Sequence, residues 1–422
     1  MIGPSMLRKG KVLVDLGKLR NLEVGLGEVS RRFGEELGRQ LDAGAAADLA
    51  VDLLVPPAFH RRFGREARTR KIRAHHRLLP VGGEYDVWHE LHQDSSLRPA
   101  SRRSRLLLTI HDLNFLYEKE PAKARCLLQR LQRKVDRSTV VTAISQFTAN
   151  EVRAHLHLKG RPVEVIPNGV PDVSAAPALR PAFLPEGRPF LFTVCHLTAK
   201  KNVHVLLDLA KLASDRLFVL AGDRETPYGR MLARRIEDER IPNVLLPGKV
   251  SDEEKNWLHQ SAEGFLFPSL YEGFGLPVVE AMSCGKPVFT SRATALPEIA
   301  GDGGFFFETF EPAGMEKTLR EGLDAFRADP VGCAERARRN ASRFRWDATV
   351  RRYLDLYRRL AGLPVPTART GEAIVVKSRM LQLCRSDRSV PYCSPSLSSS
   401  FRPCRLLRPL RLQAPTSRRN AR

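Results

Sequence analysis

Short apolar runs alternate along this chain with longer segments whose apolar residues recur at helical spacing. The apolar runs predict strands at residues 11–16, 87–88, 106–110, 140–143, 163–166, 190–194, 217–220, 244–246, 264–267 and 287–290. The periodic segments predict helices at 28–41, 126–137, from 146 onwards, and at 202–213, 229–239, 252–260, 277–283, 312–328, 330–338 and 346–360. This alternation is typical of parallel α/β sheets, so the predicted fold class is α/β.

The alternation is interrupted once, between residues 170 and 188. This stretch carries four prolines and follows a Pro-Asn-Gly turn signature at 167–169, which favours a linker. We therefore predict an N-terminal Rossmann-like domain at 1–172, a linker at 173–188 and a C-terminal Rossmann-like domain at 189–366. Ligands of such sheets bind outside the carboxyl ends of the strands, which predicts a site in a central cleft between the two domains.

Charge is distributed unevenly along the 422 residues, whose formal net charge is +22. Residues 367–422 hold 12 Lys and Arg against 2 Asp and Glu, so nearly half of the excess lies there. This segment is rich in Ser, Pro and Arg and has no strand or helix period, which favours a disordered basic tail or an out-of-frame extension. A basic arm for nucleic acid or membrane is the alternative, but few aromatic residues are present to stack on bases.

The cysteines form no recognisable framework. None of the seven lies in a Cys-x-x-Cys pair, and no secretory signal precedes the first strand, which favours a reducing, cytoplasmic setting. No apolar run approaches the roughly 18 residues that a membrane span needs.

The most informative segment runs from 267 to 298 and reads FPSLYEGFGLPVVEAMSCGKPVFTSRATALPE. It predicts a strand, a glycine loop and a short helix whose free N–H groups attract anions or hydroxyl oxygens. Gly273 and Gly275 allow a close approach of backbone to a ligand, and Glu272 and Glu280 offer carboxylates to vicinal hydroxyls. The alternative is that Glu280 completes a helix N-terminus and the glycines only form a turn.

The spacing Glu-x7-Glu in this segment resembles the signature of retaining family 4 glycosyltransferases, which have the GT-B fold. Further similar segments follow in the family's order: Thr-Ile-His-Asp at 109–112, Ala-Ile-Ser-Gln-Phe-Thr at 143–148, Val-Ile-Pro-Asn-Gly-Val at 165–170, Val-Cys-His-Leu-Thr-Ala-Lys-Lys-Asn at 194–202, Val-Leu-Ala-Gly at 219–222 and Leu-Pro-Gly-Lys-Val-Ser-Asp at 246–252. The resemblance spans about 11–362 and is greatest to bacterial mannosyltransferase-type members.

The resemblance implies roles for the C-terminal half. Glu280 would hold the ribose hydroxyls of a sugar nucleotide, and Glu272 would hold the transferred sugar together with the backbone amides of Phe274 and Gly275. The diphosphate would be neutralised by Lys201, helped by Lys200, because breaking the anomeric bond leaves new negative charge on the phosphate. No metal or other cofactor is expected.

In the N-terminal half, His111 follows a buried strand, where the family carries a histidine near the reacting sugar. Gly25 and Gly27 lie in a predicted loop after the first strand, where the family's glycine loop approaches the phosphates and the acceptor. His89 and His92 have a spacing that suits a metal, but no third ligand is evident, which favours acceptor contact or plain packing.

One departure from the family pattern concerns His196 and Cys195, which stand where many relatives carry an arginine or small polar residue and a glycine. The diphosphate then has fewer donors, and Lys200 is the residue that could compensate. No carboxylate near His111 stands out as a nucleophile, so a front-face transfer and a covalent intermediate both remain open.

These observations predict a retaining hexosyltransferase, with GDP-mannose favoured as donor and a UDP-sugar as the alternative. The expected acceptor is a lipid-linked or lipopolysaccharide-type glycan at the inner face of a membrane. Basic residues at 61–73 and 102–105 would meet anionic lipid, or they form ordinary solvated surface. Two other hypotheses are a non-catalytic GT-B partner subunit that binds nucleotide without transfer, and a nucleic-acid-binding module. The second is supported only by the positive net charge.

Overall fold

Two parallel sheets organise the chain in the computed structural model, which describes residues 8–22 and 25–366. The first sheet has seven strands in the order β3-β2-β1-β4-β5-β6-β7, all paired in parallel. Its strands are β1 Gly10–Asp15, β2 Leu49–Val55, β3 Arg68–Lys71, β4 Val87–Glu90, β5 Arg105–Ile110, β6 Val140–Ala143 and β7 Val163–Val165. Its helices are α1 Gly25–Asp42, α2 Phe115–Glu118, α3 Pro121–Val135 and α4 Gln146–His155.

The second sheet has six parallel strands in the order β10-β9-β8-β11-β12-β13. Its strands are β8 Phe190–Val194, β9 Leu217–Ala221, β10 Val244–Gly248, β11 Gly264–Phe267, β12 Val288–Ser291 and β13 Gly304–Phe307. The helices that follow are α5 Val205–Leu212, α6 Pro227–Asp238, α7 Asp252–Ser261, α8 Leu276–Ser283, α9 Leu296–Ala300, α10 Pro312–Ala328, α11 Pro330–Ala341 and α12 Trp346–Ala361. Two parallel α/β sheets confirm the predicted fold class.

Three strands, β2, β3 and β13, were absent from the sequence prediction. The edge strand β3 reads Arg-Thr-Arg-Lys and carries no apolar side chain, so backbone pairing with β2 and not a hydrophobic pattern defines it. Its Arg68 lies against Asp52 of β2 with an Nε–Oδ1 distance of 3.1 Å. Polar and charged side chains are common on edge strands, where they discourage pairing with another chain.

The predicted glycine loop through Gly25 and Gly27 is wrong, because both residues lie in the first turn of α1. A side chain at Gly27 would place its Cβ 1.8 Å from the carbonyl oxygen of Asn21. Glycine at 27 therefore lets the helix start pack directly on the preceding turn, while Gly25 faces the cleft described below.

The last helix, α12, packs in the core of the first sheet although it follows the whole second sheet in sequence. Its residues Val350, Tyr353 and Tyr357 are buried beside Val12 and Phe33. The core of the first half is thus built from both ends of the described chain. The domain boundaries at 172 and 188 stay a prediction, and the predicted tail at 367–422 lies outside the described residues.

Candidate active site

A cleft of about 690 Å³ lies between the two sheets and is lined from both sides. His111 and Asp112 reach it from the carboxyl end of β5, and Gly25 from the start of α1. The second half contributes residues 195–201, after β8, and residues 272–280, after β11. In each sheet the carboxyl ends of the parallel strands lie at one edge. The loops from that edge of both sheets line the same cleft.

Glu280 lies in α8, where its side chain is nearly buried and faces the cleft. Its Oε1 is 3.8 Å from Lys255 Nζ, and its Oε2 is 3.5 Å from His259 Nε2. Burial raises the pKa of this carboxyl, but Lys255 and His259 more than offset it, so the pKa is lowered to about 2. Glu280 is therefore a carboxylate at every physiological pH, suited to accept hydrogen bonds from hydroxyls.

Lys255 and His259 were missed as site residues by the sequence analysis. They stand four residues apart on α7, whose first turn is fixed by a capping box between Ser251 and Glu254. The i, i+4 spacing places both side chains on one face of the helix. That spacing was visible in the sequence, but which face would meet Glu280 depends on how α7 packs on α8.

Glu272 lies in the loop before α8, with one oxygen of its carboxylate held by two donors. Its Oε1 accepts from Lys201 Nζ at 2.5 Å and from Ser269 Oγ at 2.7 Å, and its backbone N–H donates to Thr294 Oγ1 at 2.9 Å. Burial lowers the pKa of Lys201, but the nearby Glu272 carboxylate raises it by more. The pKa of Lys201 is therefore above its usual value. The two residues predicted to hold the sugar and the diphosphate are paired with each other.

The backbone at Phe274 and Gly275 leads directly into α8. Gly275 has φ 112°, the left-handed region that favours glycine, and precedes the first helical residue, Leu276. Phe274 is buried and packs edge-on against Phe344, with ring centroids 5.3 Å apart. The buried ring fixes the loop. Because Pro277 carries no N–H and the Val278 N–H donates to the Gly275 carbonyl oxygen at 3.0 Å, the backbone N–H groups left for a ligand here are those of the loop up to Leu276.

Lys200 forms an ion pair across the two halves. Its Nζ lies 2.9 Å from Glu118 Oε1 in α2. The preceding residue of α2, Tyr117, stacks on Tyr271 of the second half with ring centroids 5.1 Å apart and planes 7° apart. Lys200, which lines the cleft, thus reaches from the second half to the first.

His111 is buried, and its Nε2–H donates to the Leu91 carbonyl oxygen at 2.8 Å. Burial is the main cause that lowers its pKa to about 4, so the imidazole is neutral with Nδ1 as its acceptor nitrogen. Asp112, which was not among the predicted site residues, lines the cleft next to His111, and burial raises the pKa of its carboxyl. Its place in the Thr-Ile-His-Asp motif was the available signal.

His89 and His92 lie in different surroundings. His89 is buried between the hydroxyls of Tyr357, at 2.7 Å, and Thr109, at 2.8 Å, which makes it a packing residue. His92 lies nearer the cleft, with its ring centroid 5.1 Å from that of His111. Within residues 8–22 and 25–366, no group of three or more His, Cys, Asp or Glu has the arrangement to hold a metal ion.

The residues that depart from the family pattern also line the cleft. The His196 side chain is exposed there, and burial raises the pKa of the neighbouring Cys195 thiol to about 12. Cys195 is thus a protonated thiol and not a nucleophile. Lys200 and Lys201 follow in the next turn, so cationic groups remain on this wall.

Comparison with known proteins gives matches in both halves. A family model described as "Glycosyltransferase Family 4" matches residues 30–173, and one described as "Glycosyl transferases group 1" matches residues 178–341. The two matches together cover most of the part of the chain that the structure describes.

The relatives include the O-antigen chain mannosyltransferase B of Escherichia coli, 26% identical over 288 residues that make up 61% of this chain and 71% of that protein. They also include the serotype-specific mannosyltransferase WbdA of Escherichia coli, 23% identical over 374 residues. That match covers 80% of this chain but only 44% of WbdA, so the chain spans less than half of that relative.

Solved structures share the fold at low sequence identity. A glycosyltransferase from Rickettsia africae has a TM-score of 0.63 at 14% identity, covering 83% of this chain and 98% of that one. The Anabaena protein HepE in complex with UDP-glucose has a TM-score of 0.58 at 19% identity, covering 82% and 98%. No helix of the described residues has the length and apolar character needed to cross a membrane.

Proposed function

Since the chain belongs to the family 4 glycosyltransferases of GT-B fold and is therefore a hexosyltransferase, we propose that it moves mannose from GDP-mannose to a membrane-linked glycan with retention of anomeric configuration. The observation that carries this proposal is the convergence of Glu280, Glu272 and Lys201 with His111 on one cleft. Each of these groups suits one part of a sugar nucleotide: ribose hydroxyls, sugar hydroxyls, diphosphate and reacting carbon.

The proposed order of events follows from the charges. The Glu280 carboxylate accepts hydrogen bonds from the ribose hydroxyls, while Lys200 and Lys201 exchange their present carboxylate partners for the diphosphate. As the bond between the anomeric carbon and the phosphate oxygen breaks, both ammonium groups and the backbone N–H groups of the loop that ends at Leu276 stabilise the charge that develops. In a front-face transfer, the acceptor oxygen forms the new bond to the anomeric carbon and the departing phosphate takes its proton. In the alternative, a nucleophile first forms a covalent bond to the anomeric carbon, and the acceptor oxygen then displaces it.

The donor is inferred from the relatives. Both Escherichia coli relatives are mannosyltransferases by name, which supports mannose, while the Anabaena structure carries UDP-glucose, which makes a UDP-sugar the alternative. The neutral His111 imidazole adds no positive charge near the reacting carbon, and its Nδ1 is free to accept from a sugar hydroxyl.

A surface near the edge strand β3 supports a membrane-linked acceptor. Leu78 and Leu79 are 80% and 59% exposed, in a turn where Arg98 Nη2 donates to the Leu78 carbonyl oxygen at 3.0 Å. They follow β3 and a short 3-10 helix in sequence, and residues 61–73 add seven Lys and Arg against one Glu. Two exposed leucines within a cationic surface fit an anionic bilayer, where the apolar side chains enter and the cations meet headgroups.

A transfer assay tests the proposal. The purified chain is given GDP-mannose, UDP-glucose or ADP-glucose with a lipid-glycan extract in anionic vesicles, in zwitterionic vesicles or in detergent, and release of nucleoside diphosphate is measured. We expect GDP release fastest with anionic vesicles and slowed by salt. Glu280→Ala should lower kcat/KM by about 100-fold through the loss of two charge-assisted hydrogen bonds. Glu321→Ala, which changes an exposed glutamate on α10, is the matched control.

The outcomes separate the hypotheses. Nucleoside diphosphate that binds without any transfer favours the non-catalytic partner subunit. Equal rates in all three acceptor preparations contradict the membrane surface but leave the transfer intact. No release from any of the three donors, together with a Glu280→Ala variant that binds GDP as well as the parent, overturns the proposal.

A further inference from the structure

The N-terminus of α4, in the first half, is capped by a carboxylate from the second half. Glu298 Oε1 accepts from the backbone N–H of Gln146 at 2.8 Å, and its Oε2 accepts from that of Phe147 at 3.0 Å. These are the first two N–H groups of the helix, which have no partner within it. Because the positive end of the helix dipole lies there, a carboxylate is the favoured partner.

The same turn of α4 holds His111. Ser145 Oγ accepts from the Thr148 N–H at 3.1 Å, and Thr148 Oγ1 donates to the His111 carbonyl oxygen at 3.2 Å. Fixing the first turn of α4 therefore fixes the backbone of the histidine that the family pattern places at the reacting sugar.

On the other side, α9 is tied to the loop that carries Glu272. The Glu272 N–H donates to Thr294 Oγ1, and the Ala295 N–H donates to the Glu272 carbonyl oxygen at 3.3 Å. Next to it, Gly273 lies so close to the His111 carbonyl that a Cβ there would be 2.1 Å from the oxygen. The contacts run from His111 through α4 and Glu298 to α9 and Glu272, and close again at Gly273.

From this closed series of contacts we infer that Glu298 is a positioning residue for the transfer reaction. It binds the second half to the first turn of α4 and so sets the distance between His111 and the Glu272 loop. Glu298 itself is absent from the lining of the cleft and so need not touch substrate. The inference rests on the proposed roles of His111 and Glu272.

Gln146 offers a way to remove one hydrogen bond of this cap without changing Glu298. It is the first residue of α4, a position that tolerates proline because its N–H has no partner inside the helix. The preceding Ser145 has φ −153° and ψ 160°, an extended conformation that a following proline permits. Gln146→Pro thus deletes the N–H that bonds Oε1, and Gln146→Ala, which keeps the N–H, is its control.

The experiment compares kcat, donor KM and GDP affinity for Glu298→Ala, Glu298→Gln, Gln146→Pro, its control Gln146→Ala, and the double variant Glu298→Ala/Gln146→Pro. We expect Glu298→Ala to lower kcat by about 100-fold with donor KM and GDP affinity nearly unchanged, since the nucleotide contacts lie in the second half. Glu298→Gln should recover part of the rate, and Gln146→Pro should add little to Glu298→Ala because both remove the same contact.

A second readout is the radius of gyration with bound GDP, measured by small-angle scattering. It should be larger in Glu298→Ala than in the parent, with Glu298→Gln between them, if the cap holds the halves together. An unchanged kcat in Glu298→Ala, or effects of Glu298→Ala and Gln146→Pro that multiply, overturns the inference. If the parent transfers no sugar, the proposed function fails, and the scattering comparison alone decides whether Glu298 holds the two halves together.

Discussion

At the scale of single residues, the site is a set of charges that compensate one another before any substrate arrives. Lys201 and Glu272 are both mostly buried, with side chains 15% and 12% exposed, and each is the other's partner at 2.5 Å. Glu280 has Lys255 in the same way at 3.8 Å, and burial lowers the pKa of the neighbouring His259, whose ring lies beside the carboxylate as a neutral group. A buried charge without a partner is costly, so a cleft built to hold an anionic substrate keeps its cations satisfied by carboxylates until the substrate takes their place.

Removing one partner of the Lys201–Glu272 pair should therefore affect stability as well as activity. Lys201→Met leaves a nearly buried carboxylate uncompensated and should lower the free energy of unfolding by about 2 kcal/mol. It should also abolish transfer, since the diphosphate loses its nearest cation. Urea unfolding and the transfer assay measure the two effects. The double variant Lys201→Met/Glu272→Gln should recover most of the stability and none of the activity; a double variant as unstable as the single one contradicts the charge argument.

At the scale of elements, the loop between β11 and α8 serves both halves at once. It presents Glu272 and the start of α8 to the cleft, and its Gly273 rests on the His111 carbonyl of the other half. The same loop is tied to the segment before α9 through Thr294. Glycine at 273 is required by this contact and not by a special backbone angle, since Gly273 is not among the residues with positive φ.

Gly273→Ala should consequently push the halves apart without unfolding either of them. A Cβ 2.1 Å from a carbonyl oxygen cannot be accommodated by moving a flexible side chain, because the neighbour is backbone. We expect kcat to fall by about 100-fold while the free energy of unfolding changes by less than about 1 kcal/mol.

Steady-state kinetics and urea unfolding test this expectation together. Gly82→Ala is the control, because that glycine has no atom within 4 Å of an added Cβ. A Gly273→Ala enzyme with the parent's kcat would show that the two halves need not approach this closely for transfer.

At the scale of the whole molecule, the chain closes on itself through α12. Tyr353 and Tyr357 enter the core of the first sheet from the far end of the described chain, and His89 joins them to it. The His89 ring bonds Tyr357 and Thr109 and stacks on Tyr353 with centroids 4.9 Å apart. Burial lowers the pKa of His89 to about 3, so the ring is neutral in the folded protein.

This neutral histidine makes the stability of the fold depend on pH. The unfolded chain binds a proton at His89 below about pH 6.5 and the folded chain does not, so stability falls as the pH drops from there. At pH 5.0, His89 lowers the free energy of unfolding by about 2 kcal/mol relative to neutral pH. Urea unfolding at pH 7.5 and 5.0 measures how much the free energy of unfolding falls between the two pH values. We expect this fall to be smaller in His89→Leu than in the parent by about the same amount. An identical pH dependence in parent and variant would mean that His89 also takes up a proton when folded.

Much of the fold could be predicted because the strands of a parallel sheet are short apolar runs between turn signals. β6, β8 and β11 begin and end at their predicted residues. β3 could not be found in this way, because an edge strand of four polar residues is defined by its pairing. The start of α1 was misplaced because two glycines resemble a loop in sequence, whereas the turn before the helix leaves no room for a Cβ at 27.

The sequence by itself determined the α/β fold class and the family, and it identified Glu272, Glu280, Lys201 and His111 as candidate site residues, because local patterns and motif spacing encode these. Only the tertiary structure decided which groups meet: Lys255 and His259 at Glu280, Lys200 at Glu118, and Glu298 at the start of α4. These partners lie on separate elements, and their contacts depend on how helices and halves pack. Such packing is a property of the assembled surfaces, and no local stretch of sequence specifies it.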